Sequence, residues 1–158
     1  MKFTLTQAWL SASWREADRE RMDAVDVDHQ YLGLLGVGGA AARLLGSRGI
    51  TLASARTRVR EALADDLAGL GLDSGALPDP LPFAATGTST FKETGRAKAI
   101  TDAASKAPDT YALLVTLLQE PSGTVRRLVN ADGVAPQDLV APLKEGSTDP
   151  FGAITVPA

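Results

Sequence analysis

Few side chains in this sequence have the type and spacing needed for covalent chemistry. His29 is the sole histidine and the chain contains no cysteine. A lone imidazole has no partner for a triad or a metal site. The missing thiols rule out disulfides and cysteine nucleophiles, and fit a reducing compartment. Ser89 lies in the small polar stretch Gly87-Thr88-Ser89-Thr90 with no histidine near it in sequence, so a hydrolase is not expected. Asp65 and Asp66 are adjacent, without further carboxylates at useful spacing for acid–base work. No G-x-x-x-x-G-K-[ST] phosphate loop occurs. The residues point away from catalysis, and no metal or cofactor is expected.

Charge narrows the partners. The net charge is −3 and the basic residues do not form a block. Nucleic-acid binding needs clustered Lys and Arg to displace counterions, so a helical DNA-binding regulator is the least favoured reading. Arg56, Arg58 and Arg60 alternate with Ala55, Val59 and Ala62 and read as a solvated helix face. The run Asp18-Arg19-Glu20-Arg21 reads the same way. No apolar stretch is long enough to span a bilayer, and the polar N-terminus does not suit a signal peptide. A cytoplasmic protein, complete from Met1, without membrane or nucleic-acid partners is expected.

The elements that must carry these residues are helices. Ala and Leu dominate and β-branched runs are sparse, which favours an all-α fold. Leu5, Ala8, Trp9, Ala12 and Ala17 mark one face of a helix over roughly residues 4–22. Trp9 and Trp14 lie five apart and cannot share a tight face; Trp9 is expected inside and Trp14 near the surface as an interaction anchor. Tyr31, Leu32, Leu34 and Leu35 form a short apolar helix that Asp26 or Asp28 can cap. After the glycines at 36, 38 and 39, residues 40–47 form a third helix with Ala41, Leu44 and Leu45 inside, stopped at Gly49. Thr51 opens a longer helix through Leu52, Ala55, Val59, Ala62, Leu63 and Leu67. Residues 71–82 are rich in Gly, Pro, Asp and Ser and form a linker. Residues 146–158 read as a poorly ordered tail.

The second half repeats the first weakly. Arg43-Leu44-Leu45-Gly46-Ser47-Arg48-Gly49-Ile50 aligns at constant offset with Arg127-Leu128-Val129-Asn130-Ala131-Asp132-Gly133-Val134. Leu34-Leu35 pairs with Leu117-Leu118 after a one-residue gap, and Pro136 to Lys144 supplies a shorter last helix that starts at a proline.

These features resemble the Clp N-terminal domain family, the substrate-receiving module of Hsp100 unfoldases such as ClpC and ClpA. The family signature T-E-H-hydrophobic-L-L-G-L is matched by Val27-Asp28-His29-Gln30-Tyr31-Leu32-Gly33-Leu34-Leu35. Its helix running from Ala-Ala to Leu-Leu is matched by Ala41-Ala42-Arg43-Leu44-Leu45, and its Gly-Ile turn by Gly49-Ile50. Repeat two is more diverged, with Thr110-Tyr111-Ala112-Leu113-Leu114 at the signature. The resemblance implies two four-helix repeats related by a pseudo-twofold axis, residues 3–70 and 83–145, packed into one domain over 1–145. It implies that His29, Gly33, Leu34 and Gly49 are structural signature residues, with His29 holding its helix start.

The resemblance also implies binding residues. In Gram-positive relatives the signature glutamates, one per repeat, receive phosphoarginine by pairing a carboxylate with a guanidinium. Asp28 is the shorter equivalent in repeat one and also suits a helix cap. Tyr111 replaces the carboxylate in repeat two, which disfavours that ligand there. Phe83, after Pro82, matches an aromatic at the inter-repeat groove that accepts cyclic-peptide antibiotics in actinobacterial relatives, and Thr88 stands near the position of that groove's basic residue. The implied function is a non-enzymatic module that binds peptides, degron-bearing or unfolded proteins, or adaptors, in the service of a Clp unfoldase and its protease. The alternative is sequestration of cyclic-peptide antibiotics.

Overall fold

The computed structural model describes residues 4–72, 92–107 and 109–144. They form eight helices: α1 (Leu5–Arg19), α2 (Val27–Val37), α3 (Ala40–Ser47), α4 (Leu52–Gly69), α5 (Gly95–Ala104), α6 (Thr110–Leu118), α7 (Thr124–Ala131) and α8 (Pro136–Lys144). The fold is all-α. Among the described residues the one β-type pairing is an isolated parallel bridge between Val25 and Glu93. No described helix is long and apolar enough to cross a membrane.

Local sequence sets the helix starts. Thr4 and Gln7 close a capping box, with Gln7 N–H donating to Thr4 Oγ1 at 3.1 Å and Thr4 N–H to Gln7 Oε1 at 3.0 Å. Thr51 and Ser54 repeat the device at α4. At α2 the box is Asp26 and His29, and the acceptor for the Asp26 N–H is His29 Nδ1 at 2.9 Å.

α2 is buried nearly all round and packs against α1, α3, α4, α5, α6 and α7. Such a helix must be apolar on every side, and Tyr31, Leu32 and Leu34 are fully enclosed. Trp9 is also fully enclosed and donates from Nε1 to the Gln30 carbonyl at 2.9 Å. Gln30 in turn reaches α5, donating to Ala97 O at 2.8 Å. Gly33 lies against Ser13, so α1 and α2 approach closely.

The buried face of α1 differs from the expected one. It consists of Leu5, Trp9, Ser13, Glu16 and Ala17, while Ala8 and Ala12 are half-buried. Ser13 is tolerated inside because its hydroxyl donates to Trp9 O at 2.7 Å. α1 also stops earlier than expected. Arg21 takes a left-handed conformation (φ 58°), and Met22 N–H closes the turn on Ala17 O at 2.9 Å.

The arginines of α4 do not form a free solvated face. Arg56 grips Glu16 with two bonds of 2.7 Å, Arg60 donates to Glu20 at 2.7 Å, and Arg58 donates to Asp132 at 2.8 Å. These pairs tie α4 to α1 and to the end of α7. The alternation seen in the sequence is a row of interhelix ion pairs, and Glu20 leaves the expected solvated run to join it.

The aligned segments of the two halves share their backbone pattern. A glycine precedes each helix, Gly39 before α3 and Gly123 before α7, and neither start has a side-chain cap; their backbones differ, Gly39 at ψ −167° and Gly123 at ψ 14°, and the likeness lies at the helix ends. Both helices end at a left-handed glycine, Gly49 and Gly133. Ile50 N–H then bonds Leu45 O at 2.9 Å, and Val134 N–H bonds Val129 O at 3.0 Å. Both apolar residues turn inward and are buried. Across the halves, α2 packs on α6 and α7, while α6 packs on α3.

Candidate functional site

The bridge between Val25 and Glu93 brings the starts of α2 and α5 together. Val25 N–H donates to Lys92 O and Thr94 N–H to Val25 O, both at 2.9 Å. Asp26, the α2 cap, becomes the hub of the junction. Its carboxylate accepts from Val27 N–H at 2.8 Å, from Thr94 Oγ1 at 2.9 Å, and from Arg96 at 2.7 and 2.6 Å. Burial alone would push this carboxyl's pKa up. Arg96, the Val27 N–H and Thr94 outweigh it and hold the group below its ordinary value. Arg96 moves in the opposite direction, raised chiefly by its bond to Asp26.

Beside this junction lies a cleft of about 590 Å³, bounded by the starts of α2, α5 and α7 and the middle of α4. Its floor includes Val59, Ala62, Leu63 and Leu128. The α4 residues explain part of the apolar stripe read from the sequence: Ala55 and Val59 are buried, Ala62 packs against the core while half-exposed, and Val59, Ala62 and Leu63 all line the cleft. Met22, 40% exposed, forms part of the lip.

The charged lining comprises four aspartates, Asp23, Asp26, Asp28 and Asp66, against Arg96 and Arg127. Arg127 donates to Asp66 at 2.9 Å and to the Ala62 carbonyl at 3.3 Å. On the α7 side, the buried Glu120 accepts the Ser122 N–H at 2.7 Å and also the Ser122 hydroxyl. The Ser122 and Thr124 hydroxyls lie 2.8 Å apart.

The sequence-derived residues distribute unevenly about this cleft. Asp28 and His29 line it. Asp28 is not the helix cap; Asp26 is, and Asp28 Oδ1 accepts the neighbouring His29 N–H at 2.8 Å. His29 is almost fully buried, and its Nδ1 lone pair is committed to the Asp26 backbone. That nitrogen therefore cannot serve as a base while the cap is closed. Tyr111 takes the second position of α6, as Asp28 does in α2, and is half-buried away from the cleft lining. Trp14 is half-buried on α1 and does not line the cleft. Gly33, Leu34 and Gly49 sit at packing or turn positions. Phe83 and Thr88 lie outside the described residues, as do most of the linker 71–82 and the tail 146–158.

Sequence reasoning missed Arg96, Thr94 and Arg127, whose roles depend on partners far along the chain. Asp66 was seen without a partner, and its partner is Arg127, on another helix. A local pattern did mark Asp26, as a cap. Among the described residues no group of three or more His, Asp or Glu side chains is arranged to hold a metal ion. No protein-family model matches this chain, and no curated protein matches its sequence.

Proposed function

We propose that the chain is a non-catalytic protein-binding module of the Clp N-terminal type, which receives peptides, unfolded or degron-bearing proteins, or adaptors on behalf of a cytoplasmic Clp unfoldase. The observation that carries this reading is the recurrence of one helix–turn unit. α3 through Ile50 and α7 through Val134 share a left-handed glycine stop, the same backbone hydrogen bond closing the turn and an inward apolar residue after it. The packing of α2 on α7 and of α6 on α3 supports two pseudo-twofold repeats. The cleft at the first signature supplies an open surface with an apolar floor and polar rim, the composition that suits peptide recognition.

The direct test mixes the purified full chain with a permanently unfolded, fluorescently labelled client protein and with a Clp unfoldase. Saturable client binding that the unfoldase's own N-terminal domain competes away is the expected result. No binding to client or unfoldase at concentrations well above those of the unfoldase's own N-terminal domain would refute the proposal.

A further inference from the structure

We infer that the cleft docks an unmodified basic–apolar peptide segment, in which a Lys or Arg side chain neighbours an aliphatic one; this rests on the protein-binding reading above. Charge complementarity selects the occupant. Both arginines at the cleft are already neutralised: Arg96 by the two-bond pair with Asp26, and Arg127 by Asp66. Asp23 and Asp28 are left as net negative charge at the rim. Asp23 is exposed and Asp28 partly so; Asp28 accepts the His29 N–H and lies 3.4 Å from His29 Nδ1, and among the described residues no Lys or Arg forms an ion pair with either aspartate.

Of the three helix starts at the cleft, α2 and α5 are capped by Asp26 and Thr94; the α7 start has no side-chain cap, but the Glu120 carboxylate stands beside it and takes the Ser122 N–H. An acidic or phosphorylated peptide would meet the unneutralised Asp23 and Asp28 at the rim, and would have to break an internal ion pair to engage either arginine. A basic side chain need break none. Its aliphatic stem can lie on Val59, Ala62 and Leu63 while its head reaches the aspartates, the way long cationic side chains divide themselves between apolar and polar surroundings. A volume of about 590 Å³ accommodates such a side chain and one aliphatic neighbour.

Fluorescence anisotropy on the full chain tests this with four labelled peptides of one length. They are a Leu/Arg peptide, its citrulline analogue, its Glu analogue and its phosphoarginine analogue. The Leu/Arg peptide should bind, the citrulline analogue roughly tenfold more weakly, and the other two more weakly still. Raising the salt concentration should weaken the Leu/Arg complex. Asp23→Asn with Asp28→Asn should cost roughly tenfold in affinity, at a few-fold per exposed charge pair. Asn at position 28 still offers an oxygen to the His29 N–H, so the helix start is kept. Asp102→Asn, an exposed α5 residue away from the cleft, should change nothing. Equal binding of the citrulline analogue, preference for an anionic peptide, or an unchanged Asp23→Asn/Asp28→Asn variant would overturn the inference and leave the protein-binding reading standing. Failure of all four peptides overturns the inference; client binding by the same preparation then decides the broader reading separately.

Discussion

Gly33 offers the most direct test of how the central helix is held. It lies in the middle of α2, where alanine would ordinarily be the better residue by about 1 kcal/mol. A methyl group at this position would stand 2.7 Å from the Ser13 backbone nitrogen and 2.9 Å from its Cα, besides meeting the Ser13 hydroxyl. Those are backbone atoms of the neighbouring helix, which cannot swing aside as a long side chain can. Overpacking of a tight core costs about 1–3 kcal/mol, and contact with backbone places this site toward the upper end. Set against the gain in helix propensity, Gly33→Ala should destabilise the protein by about 2 kcal/mol. For a domain of this size that is a fall in Tm of roughly 4–8 °C.

The control is Gly46→Ala, in α3, where nothing lies within 4 Å of the added carbon. Only the propensity term acts there, so stability should rise by up to about 1 kcal/mol. Thermal unfolding followed by circular dichroism reads both. Adding Ser13→Ala to Gly33→Ala should restore little, because the backbone atoms remain in the way. A Gly33→Ala protein at least as stable as the parent would refute the close approach of α1 to α2.

Four further outcomes follow from other contacts. Arg56→Ala should destabilise by about 1–3 kcal/mol, because it leaves the nearly buried Glu16 without its bidentate partner, and removing Glu16 as well should recover part of that loss in urea titrations. Tyr31→Phe should leave stability unchanged or raise it by up to about 1 kcal/mol, since the enclosed phenol has no hydrogen-bond partner among the described residues and burial, followed by the Asp132 charge, pushes its pKa upward. Acrylamide should quench Trp14 emission and spare Trp9, so Trp9→Phe should leave a readily quenched spectrum and Trp14→Phe a protected one. The Asp26 carboxyl is held below its unfolded value of about 4, so its stabilisation is complete above that pH and is lost as pH falls through the folded value; urea midpoints of the parent and Asp26→Asn should differ at pH 6 and converge in strong acid.

The helices were legible because their signals are local. Thr4, Thr51 and Asp26 are acceptors set beside apolar periodicity, and each caps a helix. Gly49 and Gly133 stop helices for a backbone reason that needs no tertiary knowledge. The α1 face was misread at Ser13 and Glu16 for the opposite reason. Both are polar, and both are inside because of residues far away in sequence: a glycine on α2 and an arginine on α4. Periodicity ranks residues by hydrophobicity and cannot register a charge whose partner lies forty positions on. The same blindness turned Arg56, Arg58 and Arg60 into a solvated face when they are interhelix ties.

The cleft shows where that limit falls. Its apolar floor was visible as the stripe of α4, but a stripe does not reveal whether another element covers it. α7 and the start of α2 meet α4 only in part, and Ala62 and Leu63 face the space between them. Its rim charges were equally visible as residue types, while their effective charge was not. Asp26 and Asp66 are cancelled by Arg96 and Arg127, which reach them from α5 and α7. What distinguishes Asp23 and Asp28 from the other two aspartates is therefore the partners that the fold brings, or fails to bring, to each. The resemblance drew attention to Asp28 for its place in a signature; the surrounding ion pairs supply a physical reason for that residue to meet a cation.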